Sequence, residues 1–127
     1  MDREELVDVN LVILGRIVSL LEDAGIPVLV AMWIKLPEYG DWRLLLASKK
    51  FDNLSFGDAA ARIHKVLLNG GLEVWEIPSL FILKTSTPFI RDLRKMFRNT
   101  ANVAGMRLGG RMWGDRFVDD ALTYKIA

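Results

Sequence analysis

Two apolar runs joined by a short connection constrain the fold of this chain more than any other feature. Residues 28–36 read VLVAMWIKL, residues 42–50 read WRLLLASKK, and PEYGD joins them. Runs so rich in aliphatic and aromatic residues, joined by a short segment with Pro and Gly, are typical of a β-hairpin. Neither face of the second run is strongly polar. The second strand is therefore predicted to lie in the interior of a sheet.

A helix is predicted over residues 3–24, because apolar residues recur there at intervals of three and four and Gly25 follows where a helix ends. The apolar stripe is broader than a surface helix with a single covered side requires. Such a helix is covered on two sides, either by its own sheet and a neighbouring element or by a partner subunit. The pattern favours a homodimer formed through residues 3–24, and coverage within the chain stays open as the alternative.

The remaining segments alternate between helical and extended patterns. They predict a helix over 54–71, a strand over 80–84, a helix over 87–99 and a strand over 121–126. Thr87 can cap the helix that follows it, and Pro88 suits the first turn of that helix. Gly109-Gly110 has the composition of a two-residue hairpin turn, so the tail is predicted to form a second hairpin.

The predicted order is helix, hairpin, helix, strand, helix, hairpin. This order predicts an α+β fold with three helices and about five strands in a mostly antiparallel sheet. A chain of 127 residues is long enough for one well-stabilised core. We therefore predict a single domain over residues 1–127.

Composition narrows the class of protein. The chain contains no cysteine, which excludes disulfides and a cysteine nucleophile and suits a reducing compartment. Its first ten residues, MDREELVDVN, are acidic and do not resemble a secretory leader. The apolar run from Leu11 to Leu21 is too short and too often interrupted to span a membrane. A soluble, cytoplasmic protein with no membrane association is the expectation.

Catalytic groupings are hard to find in this sequence. His64 is the one histidine, and a zinc site would need three carboxylates to converge on it. Asp119 and Asp120 are adjacent, so in an extended strand they would point to opposite faces. The chain has no phosphate-binding glycine motif and no Gly-x-Ser-x-Gly sequence. We predict no catalytic residue, no metal site and no cofactor. A hydrolase or nuclease built from scattered acids and His64 is the least favoured alternative.

Charge is unevenly distributed along the chain, although its net value is only +1. Residues 1–24 carry six acidic and two basic residues, whereas residues 91–116 carry two acidic and seven basic residues. The basic residues are Arg91, Arg94, Lys95, Arg98, Arg107, Arg111 and Arg116. Arginine in such excess over lysine suits bidentate contacts with carboxylate or phosphate. The same stripe also fits a solvated helix face, or a face paired with the acidic first helix within the chain or across a dimer.

Aromatic residues divide into two predicted groups. Trp33, Trp42 and Trp75 lie in or beside strand-like runs and are expected in the core. Tyr39 at the hairpin tip and Trp113 in the tail are expected to be exposed, where they would serve as anchors for a partner.

These observations favour a non-enzymatic interaction module that binds a protein partner, with a homodimer as the expected assembly. Nucleic-acid binding through residues 91–116 is the alternative. Three or four neutralised phosphates would give only weak and salt-dependent binding. No motif in the sequence identifies a family of known activity.

Overall fold

The computed structural model describes the backbone of residues 3–127 and the side chains from residue 11 onward. Within residues 3–127 there are three α-helices, α1 (Arg3–Asp23), α2 (Phe56–Asn69) and α3 (Pro88–Phe97). The strands of the same region are β1 (Val30–Lys35), β2 (Trp42–Ala47), β3 (Leu80–Ile82), β4 (Arg111–Trp113), β5 (Arg116–Val118) and β6 (Asp120–Ile126). Single turns of 3-10 helix span Lys49–Phe51 and Val74–Glu76. None of the helices in this described region is both long and apolar enough to cross a bilayer.

The main sheet of the described region has four strands in the order β3-β2-β1-β6. β1 is antiparallel to both β2 and β6, which confirms the predicted hairpin. β3 is parallel to β2, because α2 returns the chain to the end of the sheet where β2 began. The α+β prediction is confirmed. The sheet is mixed, however, and β4 and β5 form a separate two-stranded sheet.

Both faces of the central hairpin are buried, which explains why its sequence lacks a polar face. Ala31 and Trp33 point toward the side of α1 and α2, where one core cluster forms. Val30 and Met32 point to the opposite side, where α3 and the β4–β5 hairpin contribute a second cluster. The sheet therefore separates α1 and α2 from α3.

The broad apolar stripe of α1 is covered by the chain itself from Leu14 onward. Leu14, Ile17 and Leu21 are fully buried in the cluster shared with α2 and the sheet. α1 approaches α2 closely at Gly70, where a Cβ atom would lie 2.7 Å from a methyl group of Leu20. Coverage of this part therefore needs no partner subunit. The homodimer predicted through residues 3–24 stays a prediction, and the side chains of its first eight residues lie outside the described part.

The predicted tail hairpin exists, but its turn was assigned to the wrong glycines. The chain reverses at Gly114-Asp115, between β4 and β5. Gly114 has a positive φ of 60°, and a Cβ atom there would lie 2.6 Å from the backbone nitrogen of Phe89. Gly109 instead packs against the backbone of Asp120 before β4 begins. Both glycines are required for close packing, a need that the sequence pattern did not separate from turn formation.

A bulge in β6 changes which side chains share a face. The pairing with β1 moves from Met32–Thr123 to Ala31–Lys125, so Tyr124 is the extra residue. Lys125 consequently lies on the α1 side, where its ammonium group donates to the carboxylate of Glu22. This bond, aided by a backbone N–H from Val28, holds the pKa of Glu22 below its ordinary value. The alternation of faces expected of a regular strand over 121–126 therefore does not hold beyond the bulge.

Candidate functional site

The basic helix is anchored by its apolar side. Phe89, Ile90 and Leu93 are fully buried against the sheet. Pro88 occupies the first turn of α3, as predicted. Thr87 is the N-cap residue of α3, but its side chain makes no capping bond to the helix. Its hydroxyl instead donates to the carbonyl oxygen of Lys84 at 2.8 Å. Thr87 therefore occupies the predicted N-cap position without a side-chain capping bond, and the start of α3 depends on proline and on burial.

The opposite side of α3 forms a basic groove, which we define by Arg91, Arg94, Lys95 and Arg98. These four side chains line an open cavity of about 650 Å³ together with Pro88, Asp92 and Ala127. The Nε atom of Arg94 donates to the carbonyl oxygen of Ala127 at 2.9 Å, which fixes that guanidinium along the groove. The structure thus brings together the four helix cations that the sequence grouped.

No ion pair involves the basic groove among the side chains that the structure describes. The ion pairs of the described region lie elsewhere and are Arg43–Asp41, Arg107–Asp120 and Lys125–Glu22. Asp92 lies among the cations, but its Oδ2 atom accepts the backbone N–H of Gly114 at 2.8 Å. α1 packs on the other face of the sheet, and its described Glu22 pairs with Lys125. Within its described side chains, from Leu11 onward, α1 therefore supplies no acidic partner to the basic groove.

The three remaining arginines of the predicted patch are placed differently. Arg107 bonds to the carboxylate of Asp120. The guanidinium of Arg116 lies over the ring of Phe81, 5.3 Å from its centre. Arg111 lies 4.5 Å from the centre of the Trp113 ring and lines a second cavity of about 450 Å³.

This second cavity adjoins the basic groove, because Asp92 and Lys95 line both. The predicted seven-residue patch therefore contracts to the basic groove plus Arg111. Arg107 and Arg116 line neither cavity.

Trp113 was predicted to be exposed, and this prediction was wrong. Its side chain is only 4% exposed and packs against Phe97 with ring centres 6.1 Å apart. Its indole N–H donates to the carbonyl oxygen of Leu108 at 3.2 Å. Tyr39 is exposed as predicted, at 44%, and the guanidinium of Arg43 covers its ring at 3.8 Å.

Three exposed apolar residues beside the basic groove were missed by the sequence reasoning. Met96, Met112 and Phe117 are each between 44% and 56% exposed. Met112 and Phe117 are directly opposite each other in the β4–β5 pair, and Met96 lines the second cavity with Met112. We call these three residues the apolar patch. An available signal was the alternation around Gly114: once Trp113 points inward, Met112 must point outward.

The residues considered for catalysis do not converge. His64 is half-buried on α2. Asp120 is held by Arg107, and Asp119 is exposed just before β6 begins. Among the described residues, no three His, Asp or Glu side chains are grouped so that they could hold a metal ion.

No family model matches the chain, and the comparisons with curated proteins and with solved structures found no similar protein. The candidate site therefore depends on the geometry of this molecule alone.

Proposed function

We propose that this protein is a non-enzymatic binding module whose α3 surface takes an acidic, amphipathic segment of a protein partner. One observation carries the proposal. Four cations without an ion pair in the described part of the chain adjoin the exposed side chains of Met96 and Met112, and Phe117 lies opposite Met112 in the β4–β5 pair. Arg and Met are enriched at protein interfaces, where they accompany an apolar centre surrounded by a polar rim.

The arginines of the basic groove suit carboxylates of a partner. A guanidinium offers paired N–H donors that match both oxygens of a carboxylate. The cations repeat along one side of a ten-residue helix, which is about 15 Å long. That length matches acidic residues one or two helical turns apart in a docked helix. The apolar patch lies at the side of the groove, where the apolar face of such a helix would pack.

Nucleic-acid binding is the second candidate, and the four groove cations are the observation that favours it. The footprint is small, however, because Arg107 is paired with Asp120 and Arg116 lies outside both cavities. With about four phosphate contacts, the affinity falls with roughly the fourth power of the salt concentration. Binding at physiological salt would therefore be weak. The apolar patch adds little to phosphate recognition, whereas it adds directly to protein recognition.

A second copy of the chain is one partner with the required chemistry. The residues before the buried part of its apolar stripe, 1–13, combine four acidic residues with apolar residues such as Leu6, Val9 and Val12. Because α1 and α3 lie on opposite faces of the sheet, this pairing would join different surfaces of the two copies. Such a head-to-tail contact predicts association that is weakened by salt and by charge reversal on α3.

The test is a fluorescence anisotropy titration with a labelled amphipathic peptide that carries Glu on one face and Leu on the other. The double variant Arg94→Glu/Arg98→Glu should weaken binding about tenfold or more, because two attractive charge contacts become repulsive. The matched control is Arg62→Glu/Lys65→Glu on α2, where both residues are exposed on the other face of the sheet. This control should leave affinity unchanged.

A short DNA duplex and a single-stranded RNA serve as competing probes in the same assay. Under the proposal they bind more weakly than the peptide and are displaced by moderate salt. Nucleic-acid binding tighter than peptide binding, with loss in the α3 variant alone, would replace the protein partner with a nucleic acid. Equal peptide affinity in the α2 and α3 variants would refute both assignments to this surface.

A further inference from the structure

A further groove, separate from both cavities at α3, lies on the face of the sheet opposite the basic groove. Trp42 and Trp75 form its aromatic walls. Ile13 and Pro78 also line it, and its volume is about 460 Å³. Trp75 was predicted in the core, but its side chain is 81% exposed. An exposed tryptophan leaves a large apolar surface in contact with water, so its position requires a structural or functional reason.

The exposure of Trp75 is imposed by a well-formed turn. Trp75 is the middle residue of the 3-10 turn Val74–Glu76. The backbone N–H of Glu73 donates to the Oε1 atom of Glu76 at 2.8 Å, and the backbone N–H of Glu76 donates to the carbonyl oxygen of Glu73 at 2.9 Å. These two bonds between Glu73 and Glu76 fix the backbone on both sides of Trp75. The indole is therefore presented from a defined position beside Trp42.

The groove is acidic as well as aromatic. Asp41 and Glu76 both line it. Glu76 uses one carboxylate oxygen for the turn and retains the other. Asp41 accepts from the Nε atom of Arg43 at 3.2 Å, but its side chain is 56% exposed. The guanidinium of Arg43 also covers Tyr39, so its planar face is already occupied.

Aromatic faces combined with carboxylates are the chemistry that recognises a cation. The face of an indole ring attracts a guanidinium or ammonium group placed over it. A carboxylate at the rim then binds the N–H donors of the same group. An uncharged ligand could donate hydrogen bonds to Asp41 and Glu76 but would gain no charge attraction from them, and an anion would be repelled.

We infer that this aromatic and acidic groove binds an Arg or Lys side chain of a partner protein. The charge complementarity and the fixed indole of Trp75 identify the occupant as cationic. The site is independent of the proposed function on α3, because Ile13 and Trp42 belong with the α1 and α2 side of the sheet. A partner can therefore be held on each face of the sheet at once, an acidic one at α3 and a basic one here.

The test follows the indole N–H signals of the folded, full-length protein by ¹H–¹⁵N NMR during titration with short peptides. The probes are an acetylated and amidated Gly-Arg-Gly peptide, its Lys counterpart, and the same peptide with neutral citrulline in place of arginine. The Trp75 signal is assigned by its loss in Trp75→Ala. The Arg and Lys peptides should shift this signal, and citrulline should bind at least about fivefold more weakly.

Two pairs of variants separate the groove from general surface effects. Trp75→Ala should reduce peptide affinity about fivefold or more, as measured from the Trp42 indole signal. Its control is Val74→Ala, which changes an exposed neighbour in the same turn and should leave the affinity unchanged. Glu76→Gln keeps an oxygen that can cap the turn but removes the charge, so it should weaken binding while the spectrum stays folded. Asp58→Asn, on the exposed start of α2, is the matched control for loss of one negative charge.

Equal affinity for the citrulline and arginine peptides would overturn the inference. So would tighter binding of a neutral proline-rich peptide, the absence of any shift at millimolar peptide, or equal losses in Trp75→Ala and Val74→Ala. None of these results would bear on the α3 surface, whose variants are tested with different probes.

Discussion

Replacement of Gly114 by alanine is predicted to destabilise the protein severely and to disrupt the candidate site. Gly114 has a φ of +60°, and a Cβ atom there would lie 2.6 Å from the nitrogen of Phe89 and 2.7 Å from the carbonyl carbon of Pro88. The left-handed conformation costs a non-glycine residue about 1 kcal/mol or more. Contact with backbone atoms at such distances cannot be relieved by side-chain rotation and adds about 1–3 kcal/mol. The expected loss is about 2–4 kcal/mol.

The site is affected because Gly114 joins the β4–β5 hairpin to the first turn of α3. Its backbone N–H also donates to Asp92, which lies among the groove cations. If the hairpin is displaced, Arg111 and Met112 move away from Lys95 and Met96, and the second cavity loses its lining. Acidic peptide binding should therefore fall even at temperatures where the Gly114→Ala variant is folded.

Gly40→Ala is the matched control for this prediction. Gly40 also has a positive φ, of 70°, but no atom lies within 4 Å of a Cβ built there. It should therefore lose only the conformational part, about 1 kcal/mol. Urea unfolding followed by circular dichroism gives both free energies of unfolding. A Gly114→Ala variant no less stable than Gly40→Ala would show that the hairpin does not pack against α3 as described.

Two further predictions concern stability on each face of the sheet. On the α1 side, the bond from Lys125 lowers the pKa of Glu22 below its ordinary value of 4.5. The resulting stabilisation is present above that pH and is lost as the pH falls through the lowered pKa of the folded state. Urea unfolding across the acidic range should therefore show a weaker pH dependence of the free energy of unfolding for Lys125→Met than for the parent protein. An identical pH dependence in the two proteins would contradict the pairing. On the α3 side, Leu93→Ala removes a fully buried side chain and should lower the free energy of unfolding by about 2–5 kcal/mol. Met96→Ala removes an exposed side chain and should lower it by under about 1 kcal/mol, while still weakening acidic peptide binding. Similar stability losses in both variants would contradict the assigned orientation of α3.

Much of the fold was predictable because its signals are local. The β1–β2 hairpin and the start of α3 at Pro88 follow from short-range patterns of apolar residues and breakers. The mixed sheet was not predictable in the same way, because the parallel pairing of β3 with β2 depends on where α2 returns the chain. Periodicity reports which face a residue occupies, but it does not report the neighbouring strand.

The candidate site was predictable only in part, for a related reason. The four groove cations share one side of a helix, so helical spacing alone grouped them. Whether Trp113 and Trp75 are inside or outside depends on tertiary contacts, namely the Gly114 turn and the capped turn at Val74–Glu76. Their positions along the chain, in the tail for Trp113 and beside a strand-like run for Trp75, had suggested the opposite exposure for each. The bulge at Tyr124 likewise places Lys125 on the α1 side of the sheet, whereas a regular strand would place it on the α3 side.

The central claim is that partner recognition occurs at the basic groove and its adjoining apolar patch. Amide hydrogen exchange with and without the bound Glu–Leu peptide tests it most directly, because exchange slows where a partner covers or stabilises the backbone. We predict added protection in residues 88–98 and 111–118 and none in residues 56–69 of α2. Protection confined to α2, or spread evenly over the chain, would contradict the claim.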